Sequence, residues 1–412
     1  MTEPDYQVLY LEERERRLQA ENRSQPTTFK EFIHECHSLL SRPLEVRDAS
    51  ESTQGTITPP AGKCCPTRLS LWEDCPGLLQ DIYDTVCKYL EPSEQEPRRL
   101  FPSIAALEEL GRRFARRKLS SEQDLESYER FAVEDHVHDV IAELCKIPET
   151  RKRFQLGDGV IFDNHSNALH EANIDSSTDQ PPNPRRCRPD PFCIRRIDGT
   201  TSSIVTTVEY KPPHKLSVQT LRDGLLQEGL QTMDFYESVA NQDRIPIEEA
   251  AKMRYNAQQL VGAALVQEYH VMIQEGLAFS YLTNGLALVL LYVPEYNPGT
   301  LFYYLCEPNS DVHGEDNFQQ PNTALARVLC LCLLSFTVPL RDQLWRNTAR
   351  ERLHTWTTTF DPMHAQIIEQ TPGYTSSQAA RSSISYQPSE SCLPFRSFTL
   401  GYSEANPNRE LP

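Results

Sequence analysis

Residues 188–211, RPDPFCIRRIDGTTSSIVTTVEYK, decide the fold of this chain. The second half, 204–211, is rich in β-branched and aromatic residues, a composition that favours a strand. The run 192–197 is also strand-like, and Asp198-Gly199 after it is a turn signal typical of a β-hairpin. The stretch therefore predicts two antiparallel strands joined by a tight turn.

Three charged side chains of this hairpin are predicted to share one small site. A period of two places Glu209 and Lys211 on one face of the second strand, with Thr207 between that pair and Val205. The hairpin would bring Asp190 back beside Glu209. Two carboxylates bind a hard divalent cation such as Mg²⁺, and a neighbouring Lys can position or deprotonate an attacking water. This chemistry predicts phosphodiester hydrolysis.

The same residues resemble the PD-(D/E)xK nuclease superfamily, which includes restriction endonucleases and recombination nucleases. Pro189-Asp190 corresponds to the PD and Glu209-Tyr210-Lys211 to the (D/E)xK. The resemblance spans roughly 120–306 and points more specifically to fungal PD-(D/E)xK nuclease-like domain proteins. It implies an α/β fold, a restriction-endonuclease-like mixed sheet flanked by helices. It also implies that Asp190 and Glu209 bind Mg²⁺ or Mn²⁺ while Lys211 positions the nucleophilic water.

A helix upstream supplies a further acidic residue within this resemblance. Ser120-Ser121-Glu122-Gln123 is typical of a helix start. The predicted apolar face consists of Phe131, Val133, Val137, Val140, Ile141 and Leu144. Glu134 lies on the edge of that face. In the family a helical Glu ahead of the core strands often joins the metal site, so Glu134 is a candidate catalytic and metal-binding residue. The alternative is an ordinary solvent-facing charge.

Downstream, a Gln-bearing helix and two strands follow in the order that resembles type I restriction subunits and RecB-like nucleases. The long predicted helix 248–275 carries Gln267, which in this resemblance orients the site or touches nucleic acid; Gln258 and Gln259 compete for that role. Asn284-Gly285 is a strong hairpin signal between the two strands. Beside the motif, Arg188 and His214 are further candidates for contacting nucleic acid. Each of them is equally explained as an ordinary loop residue.

The charge balance opposes nucleic-acid binding at long range, because the whole chain carries a net charge of −17. Two basic clusters, 112–118 and the arginines of 185–196, could nevertheless form a rim around an acidic metal pocket. Solvated arginines that balance an acidic chain are the alternative. With the resemblance, nucleic acid is the expected partner, and DNA is favoured over RNA.

Composition predicts a globular centre with extensions, since the chain has 30 prolines and a mean hydropathy of −0.53. We predict a charged helical arm over 1–25 and a helical N-terminal region over 26–118. The nuclease-like domain would cover 119–370, and a disordered tail 371–412. The N-terminal region carries no recognisable chemistry, which suggests a scaffold or a surface for a protein partner.

The sequence lacks features of secreted, membrane and zinc proteins. It has no run of eighteen apolar residues and no signal-peptide core at its start, which predicts a soluble cytoplasmic or nuclear protein without membrane contact. Its 12 cysteines are scattered, so we expect reduced thiols. None of them has the spacing of a zinc site.

Two alternative functions remain open at this stage. The chain could be a catalytically inactive nuclease-fold protein with an interaction or regulatory role, for example in a fungal metabolic gene cluster, because fold does not imply function. It could also be an acid–base enzyme for a small molecule, which would need an enclosed apolar pocket around the same residues.

Overall fold

The computed structural model describes most of the chain before residue 358. The described ranges are 6–53, 57–92, 98–163, 192–199, 201–225, 231–242, 244–314 and 318–357. Asp190, Arg188 and the predicted tail 371–412 lie outside these residues.

The described residues form both helices and strands. The helices are α1 (Tyr6–Ser24), α2 (Phe29–Cys36), α3 (Cys75–Leu90), α4 (Ile104–Phe114), α5 (Glu122–Glu129), α6 (Asp135–Cys145), α7 (Pro148–Phe154), α8 (Val218–Leu225), α9 (Glu249–Glu275), α10 (Pro308–Asp311), α11 (Ala324–Phe336) and α12 (Gln343–Arg352). The strands are β1 (Cys64–Cys65), β2 (Arg68–Leu71), β3 (Gly159–Asp163), β4 (Phe192–Asp198), β5 (Thr201–Tyr210), β6 (Thr232–Asp234), β7 (Phe279–Thr283), β8 (Leu288–Tyr292), β9 (Thr300–Cys306) and β10 (His354–Thr355).

A mixed sheet organises the described part of the chain, as predicted for an α/β protein. Its strand order is β3-β4-β5-β7-β8-β9-β2-β6, and β1 pairs with β10 in a separate two-stranded sheet. Strand β5 runs parallel to β7, and β2 runs parallel to β9. The other neighbours in the large sheet are antiparallel. The β5–β7 connection is therefore a crossover, and it contains the long helix α9.

Helices cover both faces of the sheet. One core joins the sheet to α2, α3, α6 and α11, and the other joins it to α8 and α9. Helix α11 is apolar along nearly its whole length because twelve of its residues are buried in the first core. Helix α11 stops at Phe336, and α12 begins only after Pro339, a residue that cannot continue a helix. Among the described helices, none combines the length and apolar character required to cross a bilayer.

The predicted hairpins are both present. Strands β4 and β5 pair antiparallel through Gly199, whose φ of 61° suits a residue without a Cβ. Asn284-Gly285 joins β7 to β8 with Gly285 at a φ of 85°. The N-terminal region differs from its prediction as a helical unit because it contributes β2 to the large sheet. That strand occupies 68–71, and helix α3 begins after it at Cys75.

A β-bulge in β5 changes the predicted faces of that strand. Arg195 pairs with Ile204 and Ile194 pairs with Thr206, which leaves Val205 as the extra residue. Ile204 therefore lies in the core on the α9 side, whereas Val205 packs against the opposite core. The prediction that Val205 shares a face with Thr207 is wrong for this reason.

Gly276 ends α9 in a conformation that only glycine adopts without strain. Its φ is 75°, and a Cβ built there would lie 2.6 Å from the backbone oxygen of Arg341. Gly314 has the same φ of 75° with no atom within 4 Å. We expect Gly314→Ala to lower the free energy of unfolding by about 1 kcal/mol through the left-handed backbone alone. Gly276→Ala should cost clearly more, because the clash is with backbone atoms.

Urea unfolding of the two variants measures this difference. Equal losses of stability would contradict the described packing of the α9 terminus against Arg341.

Candidate functional site

Glu209 and Lys211 lie where β5 ends, and their side chains form an ion pair. The pair is largely buried, with side-chain exposures of 21% for Glu209 and 10% for Lys211. The Lys211 amide donates to the carbonyl oxygen of Thr283 at 3.0 Å, which extends the parallel ladder with β7 by one residue. The sheet therefore fixes the backbone under both charges.

A buried carboxyl group from α9 lies beside this pair. Glu268 is fully buried and accepts hydrogen bonds from the hydroxyl groups of Thr207 on β5 and Ser280 on β7. Its Oε2 atom has no hydrogen-bond partner among the described residues. Glu268 thus ties the crossover helix to both parallel strands and keeps one oxygen uncommitted.

The environment of Glu268 favours its protonated form. Burial raises the pKa of Glu268 to about 7, and the Glu209 carboxylate raises it further; hydrogen bonds from Ser280 and Thr207, and the Lys211 charge, act in the opposite direction. The Ser280 hydroxyl also lies 2.8 Å from the carbonyl oxygen of Thr207. Ser280 has one proton to donate, so a protonated Glu268 that donates to Ser280 would satisfy all of these groups.

Gln267, the predicted orienting residue of this helix, faces a different neighbour. Its Nε2 donates to the carbonyl oxygen of Thr58 at 2.6 Å. Successive residues on an α-helix are about 100° apart, so Gln267 and Glu268 cannot face the same surface. The structure brings Glu268 to the site and turns Gln267 toward the N-terminal segment. The sequence pointed to the helix turn that carries Glu268 but not to Glu268 itself, and the role of Gln267 stays a prediction.

Lys63 is a second residue that the sequence did not reveal. It directly precedes β1 and is half-buried. Burial lowers the pKa of Lys63, the charges of Glu209 and Glu268 raise it, and Lys211 lowers it. Lys63 therefore lies within electrostatic range of both carboxyl groups and of Lys211. No local pattern around Lys63 indicates this, because its neighbours there are distant in sequence.

Glu134 lies on the other side of β5. It is 3% exposed and accepts a hydrogen bond from the hydroxyl group of Tyr210. Tyr210 belongs to the core on the α6 side, whereas Thr207 bonds to α9 on the opposite face. The expected role of Glu134 in the metal site is therefore not supported by the geometry. The apolar face was predicted correctly at Val133 and Val137, but Phe131 is 50% exposed because a π-helical turn, Arg130–Glu134, joins α5 to α6.

A second buried carboxyl group accompanies Glu134 on that side. Glu129 accepts a hydrogen bond from the Thr283 hydroxyl at 2.8 Å and is 2% exposed. Burial raises the pKa of Glu129 to about 8; the Thr283 hydrogen bond lowers it and the Glu134 charge raises it. Burial also raises the pKa of Glu134 to about 7. Both groups are thus neutral, structural members of the core at moderately acidic pH.

Three predicted site residues remain: His214 lies at the edge of the site, and Asp190 and Arg188 lie outside the described residues. His214 follows Lys211 on the same loop, and its Nε2 is 3.3 Å from the hydroxyl oxygen of Thr53. Burial lowers the pKa of His214, and the charge of Lys215 lowers it further. Asp190 and Arg188 are not among the described residues, so their roles stay predictions.

A basic cleft lies near the same end of the sheet. It has a volume of about 440 Å³, and Arg113, Arg116 and Arg117 line it together with apolar residues that include Leu44 and Leu119. These two leucines also approach the Gly285 turn that follows β7. Part of the predicted basic cluster is neutralised, because three of its members, including Arg113 of the cleft, pair with acids. The pairs are Arg112 and Arg113 with Glu109, and Lys118 with Glu45.

The donor atoms of the site suit a hard cation. Within the described ranges, no group of three His, Cys, Asp or Glu residues is arranged to hold a metal ion. Glu209 and Glu268 nevertheless offer two carboxyl groups, one with an uncommitted buried oxygen. Mg²⁺ is usually held by one or two carboxylates and keeps several waters, so a set of two oxygen donors fits it.

Two resemblances to known proteins add to this geometry. Residues 174–359 match the family model described as the Spore killer 2 N-terminal domain. The chain is also 29% identical over 356 residues to the protein called Meiotic driver SPOK2 of Podospora anserina, which covers 79% of this chain and 44% of that protein. The chain therefore spans less than half the length of this curated relative. No solved structure matches the chain.

Because Glu129 and Glu134 are buried with raised pKa values, we expect the free energy of unfolding to decrease as pH rises. Other titratable groups around the pair are Glu126, Tyr128, Arg130, Asp135, Tyr210, Tyr281 and Cys332. Both folded pKa values lie above the ordinary value of 4.5. The folded state thus binds protons more tightly than the unfolded state, so this stability is complete below about pH 4.5 and is lost as pH rises through 7 and 8.

Glu129→Gln should therefore show a smaller fall in urea midpoint between pH 5 and pH 9 than the unaltered protein. The exposed substitution Glu15→Gln on α1 is the matched control and should leave that fall unchanged. A Glu129→Gln profile that coincides with the control would contradict the buried, neutral state of Glu129.

Proposed function

We propose that the chain is a metal-dependent nuclease that hydrolyses phosphodiester bonds of nucleic acid, with a PD-(D/E)xK-type site. The observation that carries this proposal is the convergence of Glu209 and Lys211 from β5 with Glu268 from α9. Carboxylates and an ammonium group at the end of a strand, beside the helix of its crossover, are suited to phosphate chemistry. An ordinary surface ion pair would not be accompanied by a fully buried carboxyl group.

The order of elements supports a restriction-endonuclease-like arrangement. Helix α6 precedes the antiparallel strands β3, β4 and β5, and α9 then leads to β7, which is parallel to β5. This is the helix, strand and Gln-helix order on which the sequence resemblance rests. The motif residues Glu209 and Lys211 fall at the end of β5, where the two parallel strands meet the crossover.

Each residue of the site has a distinct role in the proposed hydrolysis. Glu209 and Glu268, which would release its proton as the cation binds, would hold the cation together with Asp190, as the sequence predicts. A bound Mg²⁺ or Mn²⁺ would supply Lewis-acid stabilisation of the phosphate charge. Lys211 would hold the attacking water by a hydrogen bond while Glu209 fixes its ammonium group. The attacking water would lose a proton to solvent as its oxygen bonds to phosphorus, one P–O ester bond would break, and the departing oxygen would take up a proton from solvent.

Local charge favours nucleic acid as the substrate despite the net charge of −17. The cleft with Arg113, Arg116 and Arg117 lies beside the turn that follows β7, at the same end of the sheet as Lys211. Arginines bind phosphate groups strongly and could guide a backbone toward the site. DNA is favoured over RNA by the resemblance alone, and either substrate implies a cytoplasmic or nuclear location.

The resemblance to a meiotic driver extends the proposal to a biological role. The similarity covers most of this chain, including both Glu209 and Lys211 within the matched domain 174–359. We therefore propose that the hydrolytic site serves a function in meiotic drive. The alternative from the sequence, an inactive nuclease-fold protein, is an outcome of the experiment below.

Cleavage of labelled double- and single-stranded DNA and RNA, with Mg²⁺, Mn²⁺ or EDTA, tests the proposal. Glu209→Gln and Lys211→Ala should each reduce the cleavage rate by at least about 100-fold, a typical effect of removing a group that assists proton transfer or charge stabilisation. Glu268→Gln should also reduce it. Glu134→Gln removes a comparably buried carboxyl group from the opposite face of β5 and should retain cleavage.

Thermal unfolding of each variant separates loss of activity from loss of folding. Equal cleavage by Glu209→Gln and the unaltered protein would assign the activity to another site. Absence of cleavage by the folded, unaltered protein in every condition would favour the inactive interaction protein.

A further inference from the structure

The N-terminal segment 58–64 crosses α9 directly over the turn that carries Glu268. Gln267 donates to the carbonyl oxygen of Thr58 at 2.6 Å, and the amide of Cys64 donates to Nδ1 of His270 at 3.1 Å. The two contacts lie on either side of Glu268 along the helix. The segment is therefore fixed to α9 at both of its ends, beside the turn that carries Glu268.

The backbone around Lys63 is held firmly. The Lys63 amide donates to the carbonyl oxygen of Pro60 at 3.0 Å, and Gly62 between them has a φ of 74°. These features are typical of a tight turn with glycine at its third position. Trp356, which is 2% exposed, donates its amide to the Lys63 carbonyl oxygen at 2.9 Å and accepts from the Gly62 amide at 3.1 Å. The turn therefore fixes where the Lys63 side chain starts.

The ammonium group of Lys63 has no hydrogen bond or ion pair with any residue that the structure describes. Its half-buried side chain nevertheless lies within electrostatic range of Glu209, Glu268 and Lys211. A partly desolvated ammonium group is unfavourable unless an anion compensates for its lost hydration. Glu209 is already paired with Lys211, and Glu268 is bonded to two hydroxyl groups. An external anion that enters the site would therefore meet an ammonium group with no bonded partner among the described residues.

We propose that Lys63 binds a phosphate group of the nucleic-acid backbone at the Glu209–Lys211 site. The inference rests on the proposed nuclease function and names a binding residue for it. Lys63 would be a substrate-binding residue, since nothing in the geometry connects it to the attacking water. It lies outside the matched domain 174–359, so the N-terminal region contributes directly to the site. This assigns chemistry to a region whose sequence suggested only a scaffold.

Measuring nucleic-acid binding under conditions that prevent cleavage isolates the role of Lys63. Affinity of the full chain for a labelled 20-nucleotide DNA duplex, and for RNA of the same sequence, would be measured in EDTA by fluorescence anisotropy over a series of salt concentrations. Lys63→Glu should raise Kd by about tenfold, the effect of losing one charge-assisted hydrogen bond. The slope of log K against log salt should also become shallower by about one.

Two further variants define the specificity of this effect. Lys63→Arg keeps the positive charge and should restore binding. Lys88→Glu makes the same charge reversal at an exposed position of α3, which packs in the opposite core, and should change Kd by less than about twofold. Lys63→Met keeps the apolar part of the side chain and removes the charge. It replaces Lys63→Glu in the test if circular dichroism shows that Lys63→Glu does not fold.

The outcomes separate this inference from the proposed function. Loss of binding by Lys63→Glu or Lys63→Met, with no cleavage by the unaltered protein in Mg²⁺ or Mn²⁺, would support the phosphate contact and overturn the nuclease. Cleavage by the unaltered protein, together with equal binding by Lys63→Glu and Lys88→Glu, would overturn the role of Lys63 alone. Failure of the unaltered protein to bind either nucleic acid would overturn it as well.

Discussion

A single buried carboxyl group connects the elements on which the proposed site depends. Glu268 on α9 accepts hydrogen bonds from Thr207 on β5 and Ser280 on β7, so the crossover helix is tied to both parallel strands at once. A buried polar group is costly unless it is hydrogen-bonded, which makes this arrangement specific for one placement of α9. That placement also brings the carboxyl group of Glu268 within electrostatic range of Glu209 and Lys211. Architecture and chemistry thus depend on the same contact.

Strand β5 separates two kinds of buried acid. On the α9 side, Glu268 shares its surroundings with Glu209 and with two lysines, an arrangement suited to a cation and a phosphate. On the other side, Glu129 and Glu134 are enclosed by core residues and bonded to hydroxyl groups of β7 and β5. Their raised pKa values follow mainly from burial, so they behave as neutral polar groups of the core. A raised pKa alone therefore does not distinguish a reactive site from a structural one here.

Much of the fold follows from local sequence. The β-branched run 204–210, the Asp198-Gly199 and Asn284-Gly285 turns and the apolar stretch of α11 each specify an element through short-range chemistry, and each is present. The errors came from features without a local signal. The bulge at Val205 moved one residue to the other face, and the π-helical turn Arg130–Glu134 exposed Phe131.

The site residues also differ in whether local sequence could reveal them. Glu209 and Lys211 are two apart on one strand, so periodicity alone could place them together. To find Glu268, one must know the rotation of α9 about its own axis. That rotation is set by the contacts of Gln267 with Thr58 and of Glu268 with Thr207. Assigning Glu134 required knowing which face of β5 packs against α6. Lys63 could not be found at all, because only the pairing of β1 with β10 and the contact with His270 bring it to α9.

The central claim is that Glu209 and Glu268 form one cation site, and direct binding of Mn²⁺ tests it without reference to any substrate. Titration of the full chain with Mn²⁺, followed by electron paramagnetic resonance of the free ion, should show saturable binding that Mg²⁺ displaces. Glu209→Gln and Glu268→Gln should each weaken it by about tenfold or more, a loss of the size that removing one charged ligand contact predicts, while Glu134→Gln should not. Unchanged Mn²⁺ affinity in both site variants, or a loss confined to Glu134→Gln, would contradict the account.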